Sequence, residues 1–171
     1  MAATGTTRWA IGKLERAQLV DSFDCGHEDL NRYLRRFALN NQSAGSAQTY
    51  VAVAENQVIG YYSLAVGAVT HAEAPIRVAK GLARHPAPVM LLARLAVENS
   101  AKGQGLGAAL LHDALARTLQ AAEIAGIRTI LVHAKNDEAR RFYEHFDFDP
   151  SPTDEYHLYL LIKHLRKIAG R

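Results

Sequence analysis

Arg94-Leu-Ala-Val97-Glu-Asn-Ser-Ala-Lys102-Gly103-Gln104-Gly105-Leu106-Gly107-Ala108 runs from an apolar segment into three alternating glycines and then into a helical pattern. Glycines spaced this way let successive backbone N–H groups point in one direction at the start of a helix, where unsatisfied donors and the helix dipole favour an anion such as a diphosphate. A tight strand-to-helix turn with no ligand has the same composition, so the neighbouring sequence must discriminate. A Walker A loop requires Gly-Lys-Ser/Thr at its end, and Gly107 is followed by Ala-Ala. Gly103-x-Gly105-x-x-Ala108 matches the dinucleotide pattern. That pattern needs an acidic residue at the end of the next strand, and here the strand ends in His133-Ala-Lys135.

On the N-terminal side, Val89 to Val97 is almost continuously apolar and predicts a central strand covered on both faces. On the C-terminal side, Leu111, Leu115 and Leu119 predict a long helix to about residue 124, with Gly126 as its stop. Thr129 to His133 reads as a buried strand, and Asn136 as the N-cap of a helix carrying Ala139, Phe142, Tyr143 and Phe146 on one stripe. Tyr156 to Ile162 reads as a last strand. Upstream, Leu30, Leu34, Phe37 and Ala38 form the apolar stripe of a helix or helix pair within 27–42. Tyr50 to Ala54 and Val58 to Val69 form a hairpin, and Arg77, Lys80 and Arg84 lie in a basic connection punctuated by Pro86 and Pro88. The pattern is that of a mixed α/β sheet with helices on both faces. A flexible stretch 1–8, a single domain over 9–165 and a basic tail 166–171, helical or frayed, complete the expected organisation.

Composition sets the outer limits. With 171 residues, 49% hydrophobic and 22% charged, the chain can build a core and is not of the disordered class. It contains no apolar run near the ~18 residues of a membrane span, and its start lacks the basic and apolar regions of an export signal. The lone Cys25 fits a reducing compartment, so a cytoplasmic location is expected. The formal charge of +3 favours an anionic partner without naming one. The eight histidines show no H-E-x-x-H spacing and one cysteine allows no C-x-x-C clip, so no metal is expected.

The remaining phosphate-binding pattern is the acyl-CoA loop Q/R-x-x-G-x-G/A, matched by Lys102-Gly-Gln-Gly105-Leu-Gly107 with Lys in the first position. Together with strand 89–97, strand 129–133 and Asn136-x-x-Ala139-x-x-x-Tyr143, it resembles the core of the GNAT (Gcn5-related) N-acetyltransferases. Phe23-Asp-Cys-Gly-His-Glu-Asp-Leu-Asn-Arg-Tyr-Leu34, Asn41-Gln42, Tyr50 to Val53, Gly60 to Leu64 and Pro86-x-Pro88 extend the likeness to the GNAT toxins of bacterial type II toxin-antitoxin modules, over roughly 9–165. The resemblance implies a mostly antiparallel mixed sheet with splayed central strands. It implies acetyl-CoA as co-substrate, with Leu95, Ala96 and Val97 along the pantetheine arm. Lys102, Gly103, Gln104, Gly105, Gly107 and Ala108 would surround the pyrophosphate, and Asn136 would be a further cofactor contact. It also implies acetylation of the α-amino group of aminoacyl-tRNA, blocking translation, and a small ribbon-helix-helix antitoxin as partner. The oligomeric state is left open, a homodimer included. A small-amine or peptide acetyltransferase and a non-catalytic acyl-CoA-binding module are the rival readings.

The residues themselves suggest roles. Tyr143 can supply a proton to the thiolate left by acetyl transfer, because a phenol near pKa ~10 can donate to a sulfur whose thiol pKa is ~8.5. Periodicity alone reads the same residue as an interior aromatic. No carboxylate lies within strand 89–97; Glu98, at its end, is either a base or a solvated charge. A missing strand-borne base suits an α-amino group, with pKa ~7.7–8.0, better than a lysine near ~10.4. Arg94 interrupts an apolar strand and needs solvent or an anion. With Arg77 and Arg84 it is a candidate RNA contact. Cys25 beside His27 reads as packing rather than an acyl relay.

Overall fold

In a computed structural model, residues 8–80 and 86–169 are described, and they carry a seven-stranded sheet. In chain order the elements are β1 (Ala10–Lys13), α1 (Glu28–Arg32), a π-helical turn (Tyr33–Phe37), α2 (Ala38–Ser43), β2 (Gln48–Ala54) and β3 (Gln57–Val69). Then follow α3 (Ile76–Ala79), β4 (Ala87–Val97), a 3-10 turn (Asn99–Ala101) and α4 (Leu106–Ala122). The chain closes with β5 (Thr129–His133), α5 (Asp137–His145), β6 (Asp149–Pro150), β7 (His157–Leu161) and α6 (Ile162–Ala169). The sheet order is β1-β2-β3-β4-β5-β7-β6. β4 and β5 are parallel, whereas β1/β2, β5/β7 and β6/β7 are antiparallel. By internal contacts the chain divides into two units, Met1–Ser63 with Arg94–Asp113 and Leu64–Ala93 with Ala114–Arg171.

In the first unit the β2–β3 hairpin closes through Glu55 and Asn56, both at positive φ (51° and 62°), the two-residue loop whose twist matches paired strands. Thr49 and Ser63 satisfy one another inside the hairpin at 2.7 Å, so neither buried hydroxyl is left unpaired. The core gathers Leu14, Phe23, Tyr33, Leu34, Ala38, Val51, Val58, Tyr61 and Ala96. Tyr61 packs edge-on to Phe23 and parallel to Tyr33, and its hydroxyl donates to the Leu30 carbonyl at 2.7 Å. Gly60 sets how closely α4 can approach: a Cβ there would meet Leu110 Cδ1 at 2.9 Å, Leu106 Cδ2 at 3.1 Å and the Ala96 carbonyl at 3.3 Å.

The second unit has its own core of Val69, Ala74, Val78, Ala87, Val89, Leu131 and Tyr159. Arg128 holds its edge together, donating to the carbonyls of Val78 (3.0 Å), Arg77 (3.3 Å) and Lys80 (3.0 Å), while its own N–H reaches Pro88 O at 2.8 Å. The stretch read as a basic connection therefore contains a short helix capped from a distance.

Several boundaries differ from the sequence reading. β1 and the two-residue β6 carry too little apolar alternation to be seen; β1 is defined by its register, Ala10 to Lys13 opposite Val53 to Tyr50. β4 is not uniformly covered, since Ala93, Arg94, Leu95 and Val97 are half-buried. α4 ends at Ala122, and its buried stripe is Leu106, Leu110, Leu111, Ala114, Leu115 and Thr118 rather than one through Leu119. The last strand stops at Leu161, one residue earlier than read, and the basic C-terminal stretch takes the helical alternative as α6. Phe37, placed on the core stripe, is 49% exposed. The cause is the π-turn: the Ala38 N–H bonds to the Tyr33 carbonyl five residues back, so the extra residue turns Phe37 out of the stripe.

Gly60→Ala is expected to cost about 1–3 kcal/mol, since the added methyl meets helix side chains already packed. Thermal unfolding should show a fall in Tm of roughly 2–8 °C, and an unchanged Tm would mean that α4 can withdraw freely.

Candidate active site

The glycine turn of the first unit is exposed from Lys102 to Gly105 and becomes buried at Leu106, where α4 begins. Gly103 (φ 79°) and Gly105 (φ 83°) adopt the left-handed conformation that side chains disfavour. A Cβ at either would meet nothing within 4 Å, so conformation demands glycine here and the space before the turn stays open. A 17-residue helix then begins, leaving its first N–H groups without intrahelical acceptors. Gly107 and Ala108 lie half-buried in its first turn.

The side chains of the turn are engaged elsewhere. Lys102 Nζ donates to the Cys25 carbonyl at 2.8 Å, and Gln104 accepts from Arg8 at 3.2 Å. What faces the open space is therefore main chain. The Asp24–His27 loop that receives Lys102 is itself organised. The Gly26 N–H, and after it the Asn31 amide, hold the Asp24 carboxyl below its usual range, while Asn31 accepts from the Cys25 N–H at 2.9 Å.

Of the residues expected along the cofactor's arm, Ala96 has its side chain in the core, and Leu95 and Val97 are half-buried. Their backbone lies beyond the parallel ladder, which pairs Val89–Leu92 with Thr129–Val132 while β4 continues to Val97. Glu98, at the strand end, accepts from Ser100 Oγ at 2.9 Å.

In the second unit Asn136 is the N-cap of α5, its side chain accepting from Ala139 N at 2.9 Å. Asp137 and Glu138 in the first turn and His145 in the last complement the helix dipole. Tyr143 is buried, its ring edge-on to Phe142 at 5.2 Å and Phe148 at 5.5 Å. Burial pushes the phenol well above its ordinary range. Among the described residues its hydroxyl has no hydrogen-bond partner, so the O–H is uncommitted. Where β5 ends, His133 stacks on its cross-strand partner His157 at 4.0 Å, and burial, reinforced by His157, lowers its pKa.

The three RNA candidates are placed differently. Arg94 lays its guanidinium on the Tyr33 ring, 3.7 Å from the centroid, so an aromatic face meets the cost of a cation in an apolar strand. Arg77 is ion-paired with Asp149. Arg84 lies outside the described residues. Cys25 is buried, burial raises its thiol pKa, and its Sγ contacts the His27 carbonyl at 3.6 Å rather than the imidazole, which leaves no acyl relay. A cleft of about 460 Å³ in the second unit is lined by Arg77, Glu144, Asp147, Phe148, Asp149 and His164 among others. Its three carboxylates make it a poor seat for a pyrophosphate. Among the described residues no cluster could hold a metal, and no helix is long and apolar enough to cross a membrane.

The glycine turn thus presents main chain to open space at the head of a long helix, and the strand that leads into it outruns its parallel partner. Residues 45–150 match the acetyltransferase (GNAT) domain model. The chain is 48% identical over 158 residues to the tRNA-acetylating toxin of Mycobacterium tuberculosis (strain ATCC 25618 / H37Rv), covering 92% of this chain and 95% of that protein. AtaT complexed with acetyl-methionyl-tRNAfMet superposes with a TM-score of 0.88 at 27% identity, over 94% of this chain and 99% of that one. A tyrosine-to-phenylalanine mutant of AtaT, bound to the C-terminus of the antitoxin AtaR and to acetyl-CoA, gives 0.82 at 26% identity, over 96% and 100%. The chain belongs to the GNAT acetyltransferase family.

Gly105→Glu places a side chain and a negative charge in the open face of the turn. Calorimetry should show acetyl-CoA binding weakened by about tenfold or more; undiminished affinity in the folded variant would put the pyrophosphate elsewhere.

Proposed function

We propose that this chain is an acetyl-CoA-dependent N-acetyltransferase toxin that acetylates the α-amino group of aminoacyl-tRNA and so blocks translation. It acts in the cytoplasm and is restrained by a ribbon-helix-helix antitoxin. The observation that carries this reading is the 48% identity, across nearly the full length of both chains, to a tRNA-acetylating toxin. The likeness to AtaT structures holding acetyl-methionyl-tRNAfMet, or acetyl-CoA with the antitoxin's C-terminus, supports the acceptor, the donor and the partner.

Features within each unit suit the same chemistry. Acetyl-CoA, when bound, supplies the acetyl group as a thioester. The N–H groups of 103–108 would hold its pyrophosphate, the β4 backbone at Leu95, Ala96 and Val97 its amide-bearing arm, and Asn136 a further polar group. Lys102 and Gln104 act by holding the turn, since their side chains are committed within the protein. The acceptor amine attacks as the neutral base; an α-amino group near pKa ~7.7–8.0 is roughly a tenth neutral in water at pH 7 and about half neutral at pH 8, so water suffices to deprotonate it and no buried carboxylate is needed. As the new C–N bond forms and the C–S bond breaks, Tyr143 donates its proton to the departing sulfur, and the proton lost by the acetylated nitrogen passes to water, from which the phenol is reloaded. Burial keeps its hydroxyl protonated, and the same desolvation disfavours a bare thiolate, so donor and acceptor move together.

Transfer of labelled acetyl from acetyl-CoA to a pool of charged tRNAs is the deciding measurement. Wild-type protein should modify them, and acetylation of polyamines, aminoglycosides or peptides with no transfer to tRNA would move the enzyme to another acceptor class. Tyr143→Phe should keep acetyl-CoA affinity and lower kcat by about 10²-fold or more; a wild-type rate would make Tyr143 packing alone. Because the phenol's pKa is raised, deprotonation of Tyr143 is displaced to still higher pH. The kcat profile should therefore rise as the acceptor amine deprotonates and show no descending limb below about pH 10.

A further inference from the structure

The outward turn at Arg36-Phe37 is not explained by packing. Tyr33 is held by the Arg94 guanidinium over its ring and by the near-parallel Tyr61 ring, and Leu34 and Ala38 are buried, so the helix is anchored at both ends of the π-turn. Between these anchors the chain exposes Arg35, Arg36 and Phe37 in succession, with Arg32 exposed just before. Arg35 is partly committed, pairing with Glu28 at 3.6 Å and donating to the Asn31 carbonyl at 3.3 Å. Among the described residues, Arg32 and Arg36 have no ion-pair partner. The nearby acids of α1 are Glu28, engaged by Arg35, and Asp29.

An aromatic ring flanked by unpaired guanidinium groups matches single-stranded nucleic acid. A base has a face to stack on a ring, and its phosphates reward cations that an apolar protein interface would have to desolvate. Resting on the proposed acceptor, we infer that Phe37 is a stacking platform for a base of the unpaired 3′ end of the tRNA, with Arg32 and Arg36 on its phosphates. The π-turn is what delivers the ring: in an unbroken α-helix Phe37 would return to the stripe of Leu34 and Ala38.

Steady-state kinetics on charged tRNA tests this, with acetyl-CoA affinity by calorimetry as the control for an intact fold. Phe37→Ala should raise KM for charged tRNA about tenfold with kcat and acetyl-CoA affinity kept. Phe37→Trp should restore KM, and Phe37→Leu, apolar but without a π face, should behave like Ala. The Arg32→Ala/Arg36→Ala double variant should flatten the log–log salt dependence of tRNA binding by roughly 0.7 per lost contact. A Leu variant equal to wild type, a fall in kcat alone, or unchanged tRNA kinetics with loss of self-association or of antitoxin binding would overturn the inference. A wild-type enzyme that acetylates other amines but no charged tRNA would instead overturn the reading beneath it.

Discussion

The seating of α4 on the first unit depends on one missing methyl group. Gly60 lets Leu106 and Leu110 of α4 lie against the β3 backbone, with the Ala96 carbonyl of β4 also within van der Waals reach of the absent Cβ. That contact places the first turn of α4, and hence the glycines before it, at a fixed height above the sheet. A turn that presents main-chain N–H groups has no flexible side chain with which to correct an error, so its position must come from packing underneath. Lys102 extends the same logic outward by tying the turn to the Asp24–His27 loop, whose own hydrogen bonds run through Asp24 and Asn31.

The chemistry assigned to Tyr143 depends on a different kind of constraint. Its ring packs edge-on to Phe142 and Phe148, and among the described residues no group accepts its proton. A buried phenol of this sort is kept loaded by desolvation alone, without a charged neighbour. At the other end of α5 the polar groups are taken up locally: Asn136 caps the helix, and Tyr156 donates to Asp137.

Much of this was legible in the sequence because the relevant signals are local. Alternating glycines at a helix start, an N-cap Asn three residues before Ala139 and a polar hairpin tip each follow from short-range stereochemistry, and each lies close to where it was read. What was not legible depends on distant partners. β1 is a strand because of β2, and α3 exists because of Arg128. Arg94 is tolerated because Tyr33, sixty-one positions earlier in sequence, offers its ring. The π-turn defeats periodicity directly, since an apolar stripe read at 3.6 residues per turn counts Phe37 as core when one added residue has turned it out.

Arg128 also bears on the order in which the chain becomes structured. A helix as short as Ile76–Ala79 closes too few hydrogen bonds to offset its nucleation, so it has no independent existence. Its carbonyls, with that of Lys80, are gathered by a guanidinium about fifty residues further along the chain, on the approach to β5. The segment is therefore a late arrival in folding, formed only after the long loop between these positions has closed. Its N–H groups at Val78, Ala79 and Lys80 donate to the carbonyls of Pro75 and Ile76, while the carbonyls that so short a helix leaves over are the ones Arg128 takes up, so one side chain completes the hydrogen bonding of a whole turn.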